Sequence, residues 1–356
     1  MGRAGLVTLC VLLSLRSLPA PAAADVRIAV FGLFHSPALV VRSGDESGLT
    51  MRTDREMCVL RGSESAQLSV SRGSVRVVCA GHTFQARTLR IASPSGGVAD
   101  IELRIPDRMA RTFHGYVDVT GDGAELVPVV SMDLETAVVS VVAAEQWEGT
   151  PIEALKAQAV VARSYFTAAR GRHRGFDFCD TTHCQFLRGS PAADHPAARA
   201  ARATTGLVLA FRGVPIVALY SASCGGRTRS LVDAGLPSGG YPYFSVDCSY
   251  CLRHARAWDR RLPLDADTRQ LDASRSEAAR LALGRRLGWS AVPSGNFEAS
   301  PDRDVLVLHG RGAGHGVGLC QRGAAGLAAE RAATFADILN HYYPGTMLTG
   351  THAHAR

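Results

Sequence analysis

A glutamate at the end of an apolar helical segment is the first candidate for chemistry. Glu145 follows "MDLETAVVSVVAA", and residues 138, 141 and 142 before it are all valine. This spacing places Glu145 on the buried stripe of a predicted helix. Burial and the negative end of a helix both raise the pKa of a carboxyl group. A protonated carboxyl is the general acid that cleavage of a glycosidic bond requires. The alternative interpretation is that Glu145 is a solvated glutamate at a frayed helix end.

The next predicted helix carries three polar side chains. Gln158 and Tyr165 are seven residues apart and share one face, where a Gln and a Tyr over small alanines could form a wall for a sugar. Lys156 is the one lysine in the chain, and all other Lys+Arg positions are arginine. A position that needs a compact ammonium group would explain it, although chance survival would too. The alternative for this helix is packing through its alanines with the polar groups solvated.

Two histidines and two cysteines lie within twelve residues and could bind a metal. They are His173, Cys179, His183 and Cys184. Imidazole and thiolate are the ligands of structural zinc, and four protein ligands leave no position for a catalytic water. The spacing alone leaves a Cys179–Cys184 disulfide equally open, because disulfides are the rule in exported proteins.

The glycine-rich segment "HGRGAGHGVGLCQRGA", residues 309–324, is the fourth candidate. It contains neither GxGxxG nor GxxxxGK, so a phosphate-binding loop is not indicated. Its alternating glycines permit unusual φ angles and close approach of another segment. His315 and Gln321 would then lie at the floor of a cleft. The alternative interpretation of this segment is a tight turn with a solvated histidine.

The remaining cysteines suggest disulfides. The chain has nine cysteines, of which Cys10 lies in a leader segment. Cys58 and Cys79 are predicted to join two strands of the N-terminal part. The three residues Cys224, Cys248 and Cys251 favour a disulfide network, with a second metal site as the alternative.

The elements that position these residues indicate an α+β fold. Short alternating runs from residue 26 to about 130 predict an antiparallel β module: "VRIAVF", "ALVVR", "SVRVVCA", "TLRIAS", "ADIELRI" and "GYVDVTG". Helices follow, one capped by Asp133 or Ser131 and one by a capping box of Thr150 and Glu153. We expect a β-rich module over residues 25–127, a mixed α/β catalytic domain with the buried glutamate helix over 128–346, and a tail over 347–356.

Composition and the N-terminus indicate an exported protein. Residues 1–24 have a basic start, an apolar stretch and an Ala-x-Ala end, which predicts a cleaved signal peptide. No later segment is apolar enough to predict a transmembrane span. The chain has 356 residues and a formal net charge of +7, which suits a polyanionic surface without selecting one. The mature protein is expected in the periplasm or at the cell wall.

Five sequence blocks, in order, resemble the SpoIID/LytB family of exported peptidoglycan lytic transglycosylases. They are "LETAVVSVVAAEQWEGTPIEALKAQAVVARSYF", "FDFCDTTHCQ", "YSASCGGRT", "GAGHGVGLCQRGA" and "YYPG", within residues 115–346. Two departures stand out. Gln146–Trp147 replaces the usual Met-Pro after the glutamate, and Cys320 and Arg322 flank the Gln of the fourth block, where the family often has a serine and an aromatic residue.

The resemblance implies a site. It places the catalytic glutamate at Glu145, and it implies a structural zinc on the histidine and cysteine residues around "THCQ", raising zinc above the disulfide for that cluster. It also implies a glycan cleft lined by the "SCGG" and "GHGVG" blocks. The substrate-contacting residues would then be Lys156, Gln158, Tyr165, Ser221, Ser223, His315 and Gln321.

The reaction expected from the resemblance is cleavage of the MurNAc-β-1,4-GlcNAc bond with formation of 1,6-anhydroMurNAc. Hydrolases use two carboxylates, and the sequence offers one good candidate, which agrees with a sugar hydroxyl as nucleophile. The partners would be peptidoglycan glycan strands and wall-remodelling proteins such as an amidase, with no nucleic acid and no organic cofactor. The main alternative is a non-catalytic peptidoglycan-binding module that stimulates an amidase. A zinc-dependent hydrolase using His173 and His183 is a third alternative.

Overall fold

The structure is a computed structural model that describes residues 25–237 and 240–351. The predicted signal peptide, residues 1–24, lies outside the described residues. The chain combines a large, mainly antiparallel sheet with helices, which confirms the α+β class. Among the described residues, no helix is both long and apolar enough to cross a membrane.

The chain begins with a series of strands. They are β1 (Val26–Ala29), β2 (Ala38–Ser43), β3 (Leu49–Arg52), β4 (Met57–Leu60), β5 (Ser65–Ser71), β6 (Ser74–Cys79), β7 (His82–Ala86), β8 (Thr88–Ala92), β9 (Ala99–Ile105), β10 (Met109–Asp122) and β11 (Glu125–Met132). The six predicted strands are confirmed as β1, β2, β6, β8, β9 and β10. The predicted Cys58–Cys79 disulfide is also present and joins β4 to β6.

Helices and short strands alternate in the rest of the chain. The helices are α1 (Leu134–Glu145), α2 (Ile152–Ala168), α3 (Pro196–Ala203), α4 (Leu231–Ala234), α5 (Ser249–His254), α6 (Ala266–Ser274), α7 (Glu277–Leu287), α8 (Gln321–Arg331) and α9 (Phe335–Tyr342). The strands are β12 (Phe178–Cys179), β13 (Leu207–Phe211), β14 (Val214–Pro215), β15 (Tyr220–Ser221), β16 (Ala257–Pro263), β17 (Phe297–Asp302), β18 (Val305–Arg311), β19 (Leu319–Cys320) and β20 (Met347–Gly350).

The large sheet forks at its longest strand, β10. Its order is β12-β1-β11-β10-β9-β2-β5-β6-β7, and β8, β3 and β4 branch from β10. Residues 109–115 of β10 pair with β9, whereas residues 117–120 pair with β8. Gly115 lies at the fork, where a β-carbon would collide with the carbonyl oxygen of Ser131. A glycine therefore lets β11 approach β10 at the point where the sheet divides.

The predicted segment boundaries fall within elements of the fold. The boundary between residues 127 and 128 lies inside β11, which pairs with both β1 and β10. Strand β20 occupies residues 347–350 of the predicted tail and pairs with β13. The sheet therefore continues to the residue before Asp133, which caps α1 through a 3.0 Å bond to the Thr136 amide.

Helix α2 lies at the centre of the helical part and is buried on most sides. One side packs with α1 and the large sheet through residues such as Ala159 and Phe166, and the other packs against α8 and α9 through Val160 and Val161. The predicted capping box is wrong. Pro151 occupies the N-cap without a side-chain bond, because the Thr150 hydroxyl instead donates to the Trp147 carbonyl.

A separate small core lies between α5 and α8 in the chain. Strands β16, β18 and β17 form an antiparallel sheet, and α6 and α7 cover it around Leu271, Leu283 and Leu308. Arg229 connects this unit to the glycine-rich segment, since its guanidinium donates to the carbonyl of Arg275 at 2.7 Å and to that of His315 at 3.4 Å.

Candidate active site

Glu145 is the last residue of α1 and is half-buried. The preceding Val138, Val141 and Val142 are fully buried, as their spacing predicts. The Tyr220 hydroxyl donates to Oε1 of Glu145 at 3.3 Å. The Gln321 side chain and the Phe186 amide also hydrogen-bond to the carboxyl. Three separate segments therefore meet at the end of α1.

Burial raises the pKa of Glu145 above its ordinary value of 4.5. The hydrogen bonds from Gln321, Tyr220 and the Phe186 amide act in the opposite direction, as does the positive charge of Arg188. Helix α1 has no basic residue in its last turn, so nothing there offsets the negative end of the helix dipole. The carboxyl can therefore hold a proton to higher pH than a solvated glutamate, while several donors remain to stabilise its ionised form.

Tyr220 and Gln321 reach Glu145 from a two-stranded parallel ladder. Strand β15 pairs with β19, with Tyr220 opposite Leu319 and Ser221 opposite Cys320. Gln321 begins α8 immediately after β19, and its Nε2 also donates to the backbone carbonyl of Glu145 at 3.4 Å. Burial raises the pKa of Tyr220 well above 10, with a further contribution from Glu145. Its hydroxyl therefore stays protonated and can donate.

Two predicted contact residues, Gln158 and Ser221, and the neighbouring Gln146 have buried polar atoms without a protein partner. Gln146 Nε2 donates to Gln158 Oε1 at 3.3 Å. Within residues 25–237 and 240–351, no protein hydrogen bond reaches Gln158 Nε2, Gln146 Oε1 or Ser221 Oγ. Buried polar atoms are nearly always hydrogen-bonded, so these atoms are suited to contact water or a polar ligand.

His315 contacts the site through the backbone of Tyr220 and not through the Glu145 carboxyl. Its Nδ1 accepts a hydrogen bond from the Val317 amide at 3.0 Å, and the ring also hydrogen-bonds to the Tyr220 backbone. Burial lowers the pKa of His315. The neutral ring can therefore hold the turn against β15, which is a positioning role.

The glycine-rich segment packs directly against the "YSASCGG" segment, as the alternating glycines predict. Gly312, Gly314, Gly316 and Gly318 all have positive φ angles between 74° and 90°. Ser223 and Ala313 exchange two backbone hydrogen bonds. A β-carbon on Gly318 would collide with the Leu219 carbonyl, so only glycine permits this approach.

The predicted metal cluster is assembled in the loop beside Glu145. We call His173, Cys179, His183 and Cys184 the histidine–cysteine cluster; one ligand atom from each lies within 4.8 Å of the other three. His173 Nε2 is 3.2 Å from Cys184 Sγ, and His183 Nδ1 is 3.6 Å from the same sulfur. Cys179 and Cys184 are free thiols. The loop continues from this cluster to Phe186, whose amide hydrogen-bonds to the Glu145 carboxyl, and to Arg188, whose positive charge acts on that carboxyl.

Three predicted contact residues lie away from the carboxyl. Lys156 forms a 2.6 Å ion pair with Glu153 and lies over the Phe335 ring, on the side of α2 that faces α9. The Tyr165 hydroxyl accepts a hydrogen bond from Arg172, beside the histidine–cysteine cluster. Ser223 Oγ is 3.5 Å from Cys251 Sγ.

Sequence reasoning did not single out Tyr220, Phe186 or Arg188, and it noted Trp147 and Arg322 only as departures from the family's usual blocks. Tyr220 lies within the quoted "YSASCGG" segment, which was the one signal for it. The Arg322 guanidinium is 4.0 Å from the centroid of the Trp147 ring. Arg322 also lines an open groove of about 890 Å³ that continues between α5 and β16.

The cysteines assigned to a disulfide network are free in the structure. Cys224, Cys248 and Cys251 are buried and are joined there by Cys320. The preference for disulfides among the first three is therefore not supported by the structure, because all four sulfurs converge on one point.

Comparison with known proteins gives a consistent result. The sequence model of the SpoIID family, described as Stage II sporulation protein, matches residues 122–211, which include α1 and α2. Stage II sporulation protein D of Bacillus subtilis is 25% identical over 272 residues, covering 62% of this chain and 76% of that protein. The protein of the same name from Bacillus amyloliquefaciens is 25% identical, covering 61% and 74%.

An uncharacterised protein of Brachyspira hyodysenteriae is 28% identical over 252 residues, covering 62% of this chain and 67% of that protein. The family match covers the helix that ends at Glu145, and the relatives match 61–62% of this chain. The chain therefore contains a segment that matches the SpoIID family model, and its similarity to the two Stage II sporulation protein D sequences supports membership of that family.

Proposed function

We propose that this protein is an exported lytic transglycosylase that cleaves the MurNAc-β-1,4-GlcNAc bond of peptidoglycan, with Glu145 as general acid and then general base. Membership of the SpoIID family supports a sporulation-related role in cell-wall remodelling. The observation that carries the proposal is the half-buried carboxyl at the end of α1, whose pKa is raised by burial and which Tyr220 and Gln321 contact.

In the first step, protonated Glu145 donates its proton to the glycosidic oxygen as the bond from C1 of MurNAc to that oxygen breaks. In the second step, the Glu145 carboxylate removes the proton from the C6 hydroxyl of the same MurNAc, and the C6 oxygen bonds to C1. The product is 1,6-anhydroMurNAc, and Glu145 is again protonated. The donors Tyr220 and Gln321 and the charge of Arg188 stabilise the carboxylate between the two steps.

A single carboxyl suits this reaction because the sugar supplies the nucleophile. Hydrolytic glycosidases place two carboxyls across the scissile bond. The neighbouring glutamates are engaged elsewhere or solvated. Glu135 is paired with Arg163, Glu153 with Lys156, and Glu148 is exposed in the turn after α1.

The partnerless polar atoms beside Glu145 support a polar, uncharged ligand. Gln158 Nε2 is a donor, whereas Gln146 Oε1 is an acceptor and Ser221 Oγ can act as either. Hydroxyl and acetamido groups of a glycan offer both kinds of partner. These three residues, with Gln321, are the proposed glycan contacts.

A structural zinc ion on the histidine–cysteine cluster is part of the proposal. The donor set fits a tetrahedral ion bound about 2.0–2.3 Å from each ligand, since three pairs of ligand atoms are 3.2–3.8 Å apart and all four atoms lie within 4.8 Å of one another. Bound zinc would fix the loop that carries the Phe186 amide and Arg188. With four protein ligands, it leaves no open position for water.

The experiment is digestion of purified glycan strands, with and without stem peptides, followed by mass spectrometry of the products. We expect glycan fragments that end in 1,6-anhydroMurNAc and are therefore lighter by one water molecule than the fragments that hydrolysis would give. Glu145→Gln should lower the rate about 10²–10⁴-fold. Glu148→Gln is the matched control because this exposed residue lies three positions away, and its rate should be unchanged.

Two outcomes would contradict the proposal. Hydrolytic ends would show that water is the nucleophile. Saturable binding of the wild-type chain to glycan strands without any cleavage would favour a peptidoglycan-binding module that acts through an amidase.

A further inference from the structure

Four buried cysteines from three separate segments converge behind the candidate active site. We call them the tetrathiol cluster: Cys224, Cys248, Cys251 and Cys320. Their sulfur atoms all lie within 4.8 Å of one another, and each residue is at most 3% exposed. None of the four is in a disulfide.

We infer that the tetrathiol cluster binds one Zn²⁺ ion in a second structural site, separate from the histidine–cysteine cluster. A tetrahedral zinc ion bonded to sulfur at about 2.3 Å holds its ligands about 3.8 Å apart. The 3.4 Å separation of the Cys251 and Cys320 sulfurs is close to this value. An iron–sulfur cluster would insert several iron and sulfide atoms between the four sulfurs and needs a wider spacing.

The surroundings of the sulfurs are suited to thiolates. The backbone amides of Cys224 and Gly323 each donate to Cys320 Sγ at 3.3 Å. The Tyr342 hydroxyl is 3.3 Å from Cys248 Sγ. Hydrogen bonds of this kind orient metal ligands and stabilise the charge of a thiolate. A neutral buried thiol behaves as a small, weakly polar group and does not need such donors.

Close packing around the cluster requires a glycine. A β-carbon on Gly323 would collide with both Cys248 Sγ and the Tyr342 hydroxyl. The first turn of α8 therefore approaches the sulfurs as closely as the backbone allows, which places the Gly323 amide on Cys320.

The site would fix one side of the candidate active site. Cys320 directly precedes Gln321, which contacts Glu145, and its strand pairs with Tyr220 and Ser221. Cys224 follows that segment, and Cys248 and Cys251 lie at the start of α5. An ion on these sulfurs would join segments up to 96 residues apart, whereas the histidine–cysteine cluster orders the loop on the other side.

The first test is the zinc content of the full chain purified without chelator, measured by inductively coupled plasma mass spectrometry. The double variant Cys251→Ser, Cys320→Ser should lose one equivalent of zinc relative to the wild type. The matched control Cys179→Ser, Cys184→Ser removes two thiols from the other cluster and should keep the equivalent bound by the tetrathiol cluster. Unchanged zinc content in the first variant would overturn the inference.

A second measurement uses the wild-type chain, because the variant can fail to fold. After denaturation with chelator and without reductant, alkylation and peptide mapping should find all four cysteines as free thiols. In the cobalt-substituted protein, the tetrathiol cluster would supply four thiolate ligands and the histidine–cysteine cluster two. The thiolate charge-transfer band should therefore be about three times as strong as the two thiolates of the histidine–cysteine cluster alone would give. Two further disulfides among the four cysteines, or bound iron with sulfide, would overturn the zinc site. These readouts are independent of glycan cleavage, so they fail or succeed separately from the proposed function.

Discussion

The Arg322 guanidinium lies over the ring of Trp147, 4.0 Å from its centroid. Trp147 is two residues after Glu145, and Arg322 directly follows Gln321. These are two of the positions at which the sequence departs from the family's usual blocks. The two departures therefore contact each other, and the pair forms one edge of the candidate active site beside the groove that Arg322 lines.

We expect Trp147 and Arg322 to be energetically coupled. In a double-mutant cycle of Trp147→Ala and Arg322→Ala, urea denaturation should give a coupling free energy of about 0.5–2 kcal/mol, the range for partly desolvated cation–π pairs. Each single variant should also raise KM for glycan strands. Arg212→Ala, which removes a similar contact with Phe211 in the β13–β14 hairpin, should leave KM unchanged. Additive effects of the two substitutions would show that the contact contributes nothing.

Tyr220→Phe should shift the pH dependence of cleavage. The Tyr220 hydroxyl stabilises the Glu145 carboxylate and so lowers a pKa that burial raises. Its removal should raise that pKa further, and the alkaline limb of the rate profile should move to higher pH because Glu145 stays protonated longer. The control Tyr116→Phe, in the N-terminal sheet, should not move the limb. A shift to lower pH would contradict the assignment of Glu145 as the acid.

Glu145 should make stability depend on pH. Its pKa is raised in the folded state, so the folded chain binds this proton more tightly than the unfolded chain. The contribution of the Glu145 proton to the free energy of unfolding is fully present below about pH 4.5, and it is lost as the pH rises through the pKa that Glu145 has in the folded state. Glu145→Gln should therefore gain stability over the wild type across that range and match it at lower pH. Urea denaturation over a pH series measures this, and Glu148→Gln should show no such trend.

Arg163→Met should destabilise the helical part strongly. Arg163 is completely buried, donates twice to the Glu135 carboxylate and also donates to the Leu207 carbonyl at 3.0 Å. Loss of one partner of a fully buried pair costs about 3–5 kcal/mol, and the loss here should lie toward the lower end because the Glu135 side chain is 33% exposed. Arg261→Met, which breaks an exposed pair with Asp302, should cost less than about 1 kcal/mol. Equal losses in the free energy of unfolding would show that the buried pair has no special weight.

Removal of zinc from the histidine–cysteine cluster should lower the melting temperature and the activity together. The ion is proposed to order the loop that carries Phe186 and Arg188, so its loss releases the Phe186 amide and the Arg188 charge, which both favour the Glu145 carboxylate. Cys184→Ser should lower both measurements, and a chelator, which can also remove an ion from the tetrathiol cluster, should lower them at least as far. If a chelator abolished cleavage while the melting temperature stayed constant, the metal would be catalytic and not structural.

Local spacing was sufficient to predict part of the site. The valines before Glu145 define its place on α1, and the histidine–cysteine cluster lies within twelve residues of sequence. The face of α2 was less well predicted. Lys156 points to α9, because Glu153 both pairs with it and accepts the Phe335 amide at the start of that helix.

Alternation and helical periodicity act over a few residues, and they were enough to predict six of the eleven N-terminal strands and the position of Glu145 at a helix end. The Cys58–Cys79 pairing was also predicted from the sequence. The tertiary structure decided which groups meet the Glu145 carboxyl. Tyr220 and Gln321 are 75 and 176 residues away from it, and Cys320 joins three other cysteines across the fold. Contacts over such separations depend on how β15, β19 and α8 pack against α1 and α2, and no local pattern encodes that packing.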